Sequence, residues 1–415
     1  MSKGKTRSGV IAALDVGTSK VCCFIARSDG EALQVVGIGH QICRGLRAGA
    51  VVDMAAAEES ILAAVHAAEQ MAGETIRDVH LNFSTGNPTS HRIGVEVALN
   101  GHEIGNSDLR RVLNHGRLRC QAGDREIVHS IPLGYTIDGN CGIRDPRGMF
   151  GDRLGVNIHV VTADSGPLRN LNTCVARCHL DIAACVVSPY ASGFACLVDD
   201  EKELGVTLID MGGGSTGAAV FLEGDVAHTD VVPVGGNHIT NDIARGLSTP
   251  IDHAERMKAL YGSAIASVAD ERETIDVRRV GENEESGANP VPRSYLVSII
   301  RPRVEETFEL LRSRLEAAGF DKAAGRRLVL TGGASQLQGV RDLAAQVFDK
   351  QVRLGRPQGF AGLAEATAGP AFSTCAGLLG YALAERGDSS SHAAGAPDGT
   401  GGRLDRIGQW FREYL

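Results

Sequence analysis

The stretches Ala13-Leu14-Asp15-Val16-Gly17-Thr18-Ser19-Lys20-Val21 and Ile209-Asp210-Met211-Gly212-Gly213-Gly214-Ser215-Thr216 follow one plan, their aspartates 195 positions apart. In each, an apolar strand (Val10 to Leu14; Gly205 to Ile209) ends at an acid and turns through glycine and hydroxyl residues. A second strand follows (Val21 to Ala26; Ala218 to Leu222), then a turn, Ser28-Asp29-Gly30 or Glu223-Gly224-Asp225. A third strand closes each unit, Ala32 to Ile38 and Val226 to Val234. Alternating apolar runs bounded by such turns predict three-stranded meanders. Repetition of the same meander predicts two related half-molecules in an α/β protein.

These turns carry chemistry. A polyphosphate needs backbone N–H donors, which glycine-rich turns present without side chains in the way. Its magnesium ion is held through one or two carboxylates and several waters. Asp15 and Asp210 suit a hydrated Mg²⁺, while Gly17, Thr18, Ser19, Gly212, Gly213, Gly214, Ser215 and Thr216 suit the phosphates. Lys20 adds positive charge beside the first turn. One such turn alone is an ordinary hairpin; two in matching half-domains are not. A third element, Gly332-Gly333-Ala334 after Thr331, lies between a buried strand and a helix, where flat backbone can pass a base or an α-phosphate. Glu255 and Lys258 share one helical turn and suit ribose hydroxyls, although alone such a pair reads as a surface ion pair.

Composition narrows the class. At 415 residues the chain is long enough for two or three domains, and 22% charged with 43% hydrophobic residues describes a globular protein. A net charge of −8 with no Lys/Arg block argues against nucleic acid as a partner. No apolar run is long enough to span a bilayer, and Met1 to Ser8 has no apolar stretch of a secretory signal. The ten cysteines form no CxxC pair; Cys174 and Cys178 would share a helix face but read as small buried hydrophobes.

Between the repeats, Thr89 to Ala163 reads as a separate α/β module. Its strands lie near Ile93 to Leu99, Glu126 to Ile137 and Leu154 to Thr162, with a surface loop over Asp138 to Asp152. Its helix spans Asp108 to Leu118 behind Ser107 as N-cap. Further helices are expected over Asn237 to Ala244, Pro250 to Leu260, Arg303 to Ala318 and Ala371 to Glu385. The run Asp270 to Pro292 includes an exposed loop. Gly387 to Gly402 has no large apolar residue and predicts a flexible linker spanning roughly 20–24 Å. The closing residues place Leu404, Ile407, Trp410, Phe411, Tyr414 and Leu415 mainly on one helical face, the pattern of an interfacial membrane helix.

Together the turns resemble the phosphate and adenosine motifs of the actin, Hsp70 and sugar-kinase superfamily. Within it, the chain resembles the FtsA family of bacterial cell-division proteins over nearly its whole length. The likeness runs through the first turn, Gly236-Asn237-His238-Ile239-Thr240-Asn241-Asp242-Ile243-Ala244, Pro302-Arg303-Val304-Glu305-Glu306, Leu330 to Ala334 and the Trp-containing tail. The resemblance implies a two-lobed actin-like (ribonuclease-H-like) fold with an inserted α/β subdomain at 87–164. Lobe one would hold 1–86 with 165–198 and 365–386; lobe two, 199–235 with 301–364. Residues 236–300 would be the outer part of lobe two, 387–402 the linker and 403–415 the membrane helix. It also implies ATP and Mg²⁺ as ligands, with Gly235, Gly236 and Asn237 joining the site. Implied partners are the C-terminal tail of the tubulin-like protein FtsZ, further copies of the chain in actin-like filaments, and other division proteins. That acidic tail would dock near Arg293, Arg301 and Arg303. The expected place is the cytoplasmic face of the inner membrane at the division site. Ser188, before Pro189, stands where many superfamily ATPases carry an acid, so hydrolysis is expected to be slow. Two other functions fit the fold: a small-molecule kinase, and a pilus-assembly adaptor, for which the amphipathic tail is not expected.

Overall fold

The computed structural model describes residues 9–28, 32–120, 124–281 and 289–393. Two sheets repeat one design. In the first, strands lie in the order Asp181–Val187, Asp78–Phe83, Gly9–Val16, Lys20–Ser28, Leu33–Ile42 and Phe360–Ala361. In the second the order is Asp225–Val232, Thr216–Leu222, Val206–Met211, Arg327–Thr331 and Gln351–Leu354. Each is an antiparallel meander whose first strand gains a parallel neighbour: Leu14 opposite Leu81, and Asp210 opposite Thr331. The first strand is therefore interior in both sheets, and its buried, Val/Ile/Leu-rich run ends at the acid.

Helices Ser188–Cys196 and Ser373–Ala393 lie between the sheets. Around them Ile11, Phe24, Leu208, Phe221, Val329 and Leu378 form one apolar cluster drawn from both sheets. The helices approach so closely that a Cβ on Gly377 would stand 1.9 Å from the Ala191 carbonyl oxygen. On the outer face of the first sheet, helix Met54–Ala72 buries Ala57, Ile61, Ala64 and Ala68. Asp53 caps it, accepting from the Ala56 N–H at 3.1 Å, and Gly73 ends it in the left-handed conformation. Neither this helix nor Ser165–Arg177 was read from the sequence. The alanine-rich buried face of the first gives weak periodicity, whereas the second is short and buries Leu168, Leu171, Cys174 and Val175.

The inserted module is a four-stranded sheet ordered Thr89–Ala98, Arg153–Asp164, Arg125–Ile137 and Asn140–Ile143, covered by helix Asn106–Cys120. Arg125 fastens its root, donating to the carbonyls of Asn87 (2.8 Å) and Thr162 (2.9 Å), to Thr89 and to Asp164. Strand Asn140–Ile143 lies inside the stretch read as loop. Ser107 is not the N-cap: it lies within the helix, and Asp108 reaches back to accept from the Gly105 N–H at 3.1 Å.

Other differences have local causes. The helix expected from Arg303 spans Arg293–Ala317 and passes through Pro302. Proline removes one helical N–H, but Pro302 is exposed, so water can satisfy the freed carbonyl. The buried stripe Leu296, Ile300, Val304, Phe308, Leu311 and Leu315 runs unbroken across it. Within the expected loop 270–292, strands Thr274–Asp276 and Pro290–Pro292 pair. The last helix continues to Ala393, seven residues into the stretch read as linker. Substituting Gly377 with valine should cost about 2–3 kcal/mol, because backbone and not a mobile side chain meets the new atoms. Thermal unfolding checks this; an unchanged Tm would refute the close helix crossing.

Candidate functional site

The two acids end interior strands and face one cavity of about 570 Å³ between the lobes, a volume typical of small-ligand sites. Its walls include Gly17, Thr18, Ser19 and Lys20 from the first turn, and Gly212, Gly213, Gly214 and Ser215 from the second. Gly332, Gly333 and Ala334 enter from the third turn, Gly236 and Asn237 from a helix start, and Glu255 and Lys258 from helix Ile251–Tyr261. Two expected residues stay outside. Thr216 is buried and donates to the Val234 carbonyl at 2.6 Å. Gly235 packs on backbone, where a Cβ would stand 2.6 Å from the Gly212 carbonyl oxygen.

The turns already touch across the cleft. Ser19 Oγ donates to Asn237 Oδ1 at 3.1 Å, and a Cβ on Gly213 would meet Ser19 Oγ at 1.9 Å. A Cβ on Gly214 would meet Thr18 Oγ1 at 2.3 Å. The second turn is braced by the helix start: Gly236 N–H donates to Gly212 O at 3.0 Å and Asn237 N–H to Gly213 O at 2.8 Å. By contrast, the N–H groups of Thr18, Ser19, Gly213 and Gly214 bond to no described residue. Those orphan donors suit phosphate oxygens.

The acids differ. Asp210 Oδ2 accepts from Ser192 Oγ at 2.7 Å and Thr374 Oγ1 at 2.9 Å. Asp15 receives no hydrogen bond from a described residue, although it is buried. Burial pushes its carboxyl up to about 6; nearby Lys20 opposes the shift and Asp210 adds to it. Burial raises Asp210 as well, against the bonds from Ser192 and Thr374 and the charge of Lys20. Two buried carboxylates around one lysine leave room for a further cation with its waters, the chemistry Mg²⁺ uses. Gly332 has φ +86°, and a Cβ there would stand 2.4 Å from Asp210 Oδ1, so the third turn is packed against the second acid. Gly333 is open by comparison, with only Ala371 Cβ at 3.8 Å. Lys258 Nζ is held by Gly236 O (3.1 Å), Thr240 Oγ1 (2.8 Å) and Glu255 Oε2 (2.7 Å), which fixes the pair at the rim.

A family profile described as "Cell division protein FtsA" matches residues 207–377, and one described as "SHS2 domain inserted in FTSA" matches 86–162. Cell division protein FtsA of Agrobacterium fabrum is 46% identical, over 98% of this chain and 95% of its own. The Escherichia coli protein of that name is 31% identical, over 97% and 98%. The chain belongs to the FtsA family. Among solved structures, the PilM–PilN type IV pilus biogenesis complex aligns with TM-score 0.63 at 18% identity, over 91% of this chain and 98% of that one. MreB5 of Spiroplasma citri bound to ADP aligns with TM-score 0.55 at 14% identity, over 93% and 99%. The fold is actin-like, and the second profile falls on the inserted module.

The remaining expected residues fall elsewhere. Arg293, Arg301 and Arg303 do not form one cluster: on a single helix, Arg301 and Arg303 point roughly 160° apart. Arg293 is 14% exposed and bonds Asp270, Glu273, Gln338 and the Tyr261 carbonyl. Arg303 is paired with Asp242 and Glu306. Only Arg301 is open, 3.7 Å from Glu305. Leu404, Ile407, Trp410, Phe411, Tyr414 and Leu415 lie outside the described residues. No helix among the described residues is long and apolar enough to cross a membrane. Cys174 and Cys178 are buried, burial pushing their thiols up to about 11 and 12.

Sequence reasoning missed Asn82, Ser192 and Thr374. Asn82 takes the Val16 N–H at 2.7 Å and donates to Ser188 Oγ at 3.3 Å, bracing the first turn and the linking helix together. A polar residue inside the buried strand Asp78–Phe83 was its signal. Because the folded pKa of Asp15 is raised, the folded state binds the extra proton between about pH 4 and 6, and stability falls as pH rises through that window. Above it the cost is fully present. Asp15→Asn should therefore raise the stability of the ligand-free protein by about 1–3 kcal/mol at pH 8, and by nothing at pH 3.5. Denaturant titration at both pH values measures the difference; equal effects would mean the acid is not held against its charge.

Proposed function

We propose that the cleft binds ATP with Mg²⁺, and that the protein works as a polymerising adaptor that tethers FtsZ filaments to the cytoplasmic membrane and recruits other division proteins. The observation that carries the nucleotide reading is the convergence of three glycine turns and two buried acids from both lobes on one cavity. Membership of the FtsA family and the likeness in fold to MreB5, whose structures hold ADP and AMPPNP, support it. Asp15 and Asp210 would hold the hydrated ion, which supplies charge neutralisation for the phosphates. Thr18, Ser19, Gly213 and Gly214 offer N–H donors to the β- and γ-phosphates, Gly333 lies against the adenosine, and Glu255 and Lys258 face the ribose. Since both lobes supply contacts, bound ATP favours the closed arrangement.

Hydrolysis is a minor feature of this reading. Ser188 Oγ donates to the Phe83 carbonyl and accepts from Asn82, both at 3.3 Å, so it is held by the fold and is a poor base. Apart from Asp15 and Asp210, Glu255 is the only carboxylate among the described residues that line the cavity, and it pairs with Lys258. A small-molecule kinase needs a free base beside the transferred phosphate, and this pocket offers none among the described residues. The likeness to the pilus biogenesis protein extends to fold, and at 18% identity it gives no weight to a pilus role over the family's.

For the FtsZ tail, Arg301 is the most accessible of the three expected arginines, with exposed Tyr295 on the same helix for an apolar contact. The apolar face Leu404, Ile407, Trp410, Phe411, Tyr414 and Leu415 would lie in the inner-membrane interface at the division site. One short helix holds a bilayer weakly; filaments placing many such helices on one surface bind through avidity. Two measurements test the reading. Gly333→Val, which fills the open side of the third turn, should weaken ATP binding at least tenfold by fluorescence titration, and unchanged affinity removes Gly333 from the site. Trp410→Glu should abolish vesicle pelleting while ATP binding stays intact; retained pelleting under polymerising conditions refutes the anchor.

A further inference from the structure

We infer that Phe372, with the carbonyl of Ala371, is a positioning site for Lys20 that competes with a bound polyphosphate for the lysine's charge; this rests on the nucleotide reading of the cleft. Lys20 begins the strand after the first turn and lines the cavity, close enough to shift both Asp15 and Asp210. Its ammonium does not stand free between them. It donates to Ala371 O and lies 3.6 Å from the centroid of the Phe372 ring. The ring is itself held in place: Phe24 stacks on it at 6.1 Å, and His40 meets it edge-on at 5.7 Å. A cation at that distance from a fixed π face is attracted by the ring quadrupole.

Ala371 and Phe372 close the short turn Pro370–Phe372, and the helix that follows carries Thr374, one of the two donors to Asp210. The lysine thus ties the first turn of lobe one to the same turn-and-helix segment that holds the second acid. A polyphosphate seated on the orphan N–H groups brings several negative charges beside Lys20 and draws the ammonium off the ring and carbonyl. The parked contact is lost on binding, so it lowers affinity by its own strength. For a cation–π pair at a partly exposed site that is roughly a two- to fivefold effect. Phe372 touches no ligand in this account. It acts only through Lys20.

A double-mutant cycle reads this. ATP affinity with Mg²⁺ is measured by fluorescence titration for the full chain, for Phe372→Leu, for Lys20→Met and for both together. Phe372→Leu should tighten binding two- to fivefold when Lys20 is present and change nothing in the Lys20→Met background. Phe372→Tyr keeps a π face and should bind as the unmodified chain does. Weaker or unchanged binding by Phe372→Leu, or the same change in both backgrounds, overturns the inference while leaving the nucleotide site standing. Absence of ATP binding by the unmodified chain overturns both. Circular dichroism of each variant separates loss of fold from loss of affinity, and a Phe372→Tyr chain that folds and departs from the unmodified affinity also counts against the role of the ring.

Discussion

One buried triangle of oxygens organises the molecule. Asp210 Oδ2 takes hydrogen bonds from Ser192 and Thr374, whose hydroxyls stand 3.0 Å apart. Ser192 belongs to the helix that leaves lobe one, and Thr374 to the helix that returns to it. The second acid is thereby held at the point where both linking helices cross beneath it. A carboxylate without those donors would be costly at this depth, because burial penalises its charge. The contact of Gly377 with the Ala191 carbonyl makes the triangle possible, since a side chain at 377 would force the helices apart. Asp15 lacks comparable donors among the described residues, and so the two related acids are chemically unequal: one is bonded by side chains of the protein, the other is not.

That inequality explains which parts of the sequence were legible. The repeated meanders could be read because each local signal agreed with the next: apolar run, acid, glycine and hydroxyl turn, apolar run. Asp15, Lys20 and the glycines after Asp210 were found because their chemistry lies within a few positions. Ser192 and Thr374 were not, because they stand 182 positions apart and neither has a motif of its own. Their role arises only when two helices cross. The start of helix Arg293–Ala317 was hidden for a different reason: Pro302 signals a helix start, and tertiary packing of Leu296 and Ile300 overrides it. Arginines that look clustered in sequence, Arg293 and Arg303, separate once wound on a helix, and each then finds its own carboxylate.

The inserted module shows how far a local reading can go. Its strands were visible as alternation, yet its attachment depends on Arg125, a single side chain bonding both segments that join it to lobe one. The module also reaches lobe two: the Thr229 N–H donates to Ser90 Oγ at 3.2 Å, and Arg92 lies over Phe320 at 4.8 Å. The two attachments differ in degree. Many bonds of Arg125 fix the root, whereas the second junction adds the Arg144–Glu203 ion pair at 3.3 Å, and beside it His228 Nε2 and Thr229 Oγ1 are buried without partners. Unsatisfied polar atoms at a seam weaken it relative to a fully bonded one. The module therefore bonds to both lobes, and more heavily to lobe one.

The energetics of the cleft follow from the same asymmetry. Asp15 is a buried acid held against its charge, Lys20 leans on a ring and a carbonyl, and four N–H groups lack partners among the described residues. The buried Asp15 charge is a penalty on the free fold, whereas the Lys20 contacts stabilise it. Holding a buried acid against its charge is the kind of local instability that proteins trade for function. Because the unbonded groups come from both lobes while the triangle lies at their crossing, a ligand bound there would act across the gap. Under the nucleotide reading, such a ligand would stabilise the closed arrangement of two lobes that the triangle joins at their base.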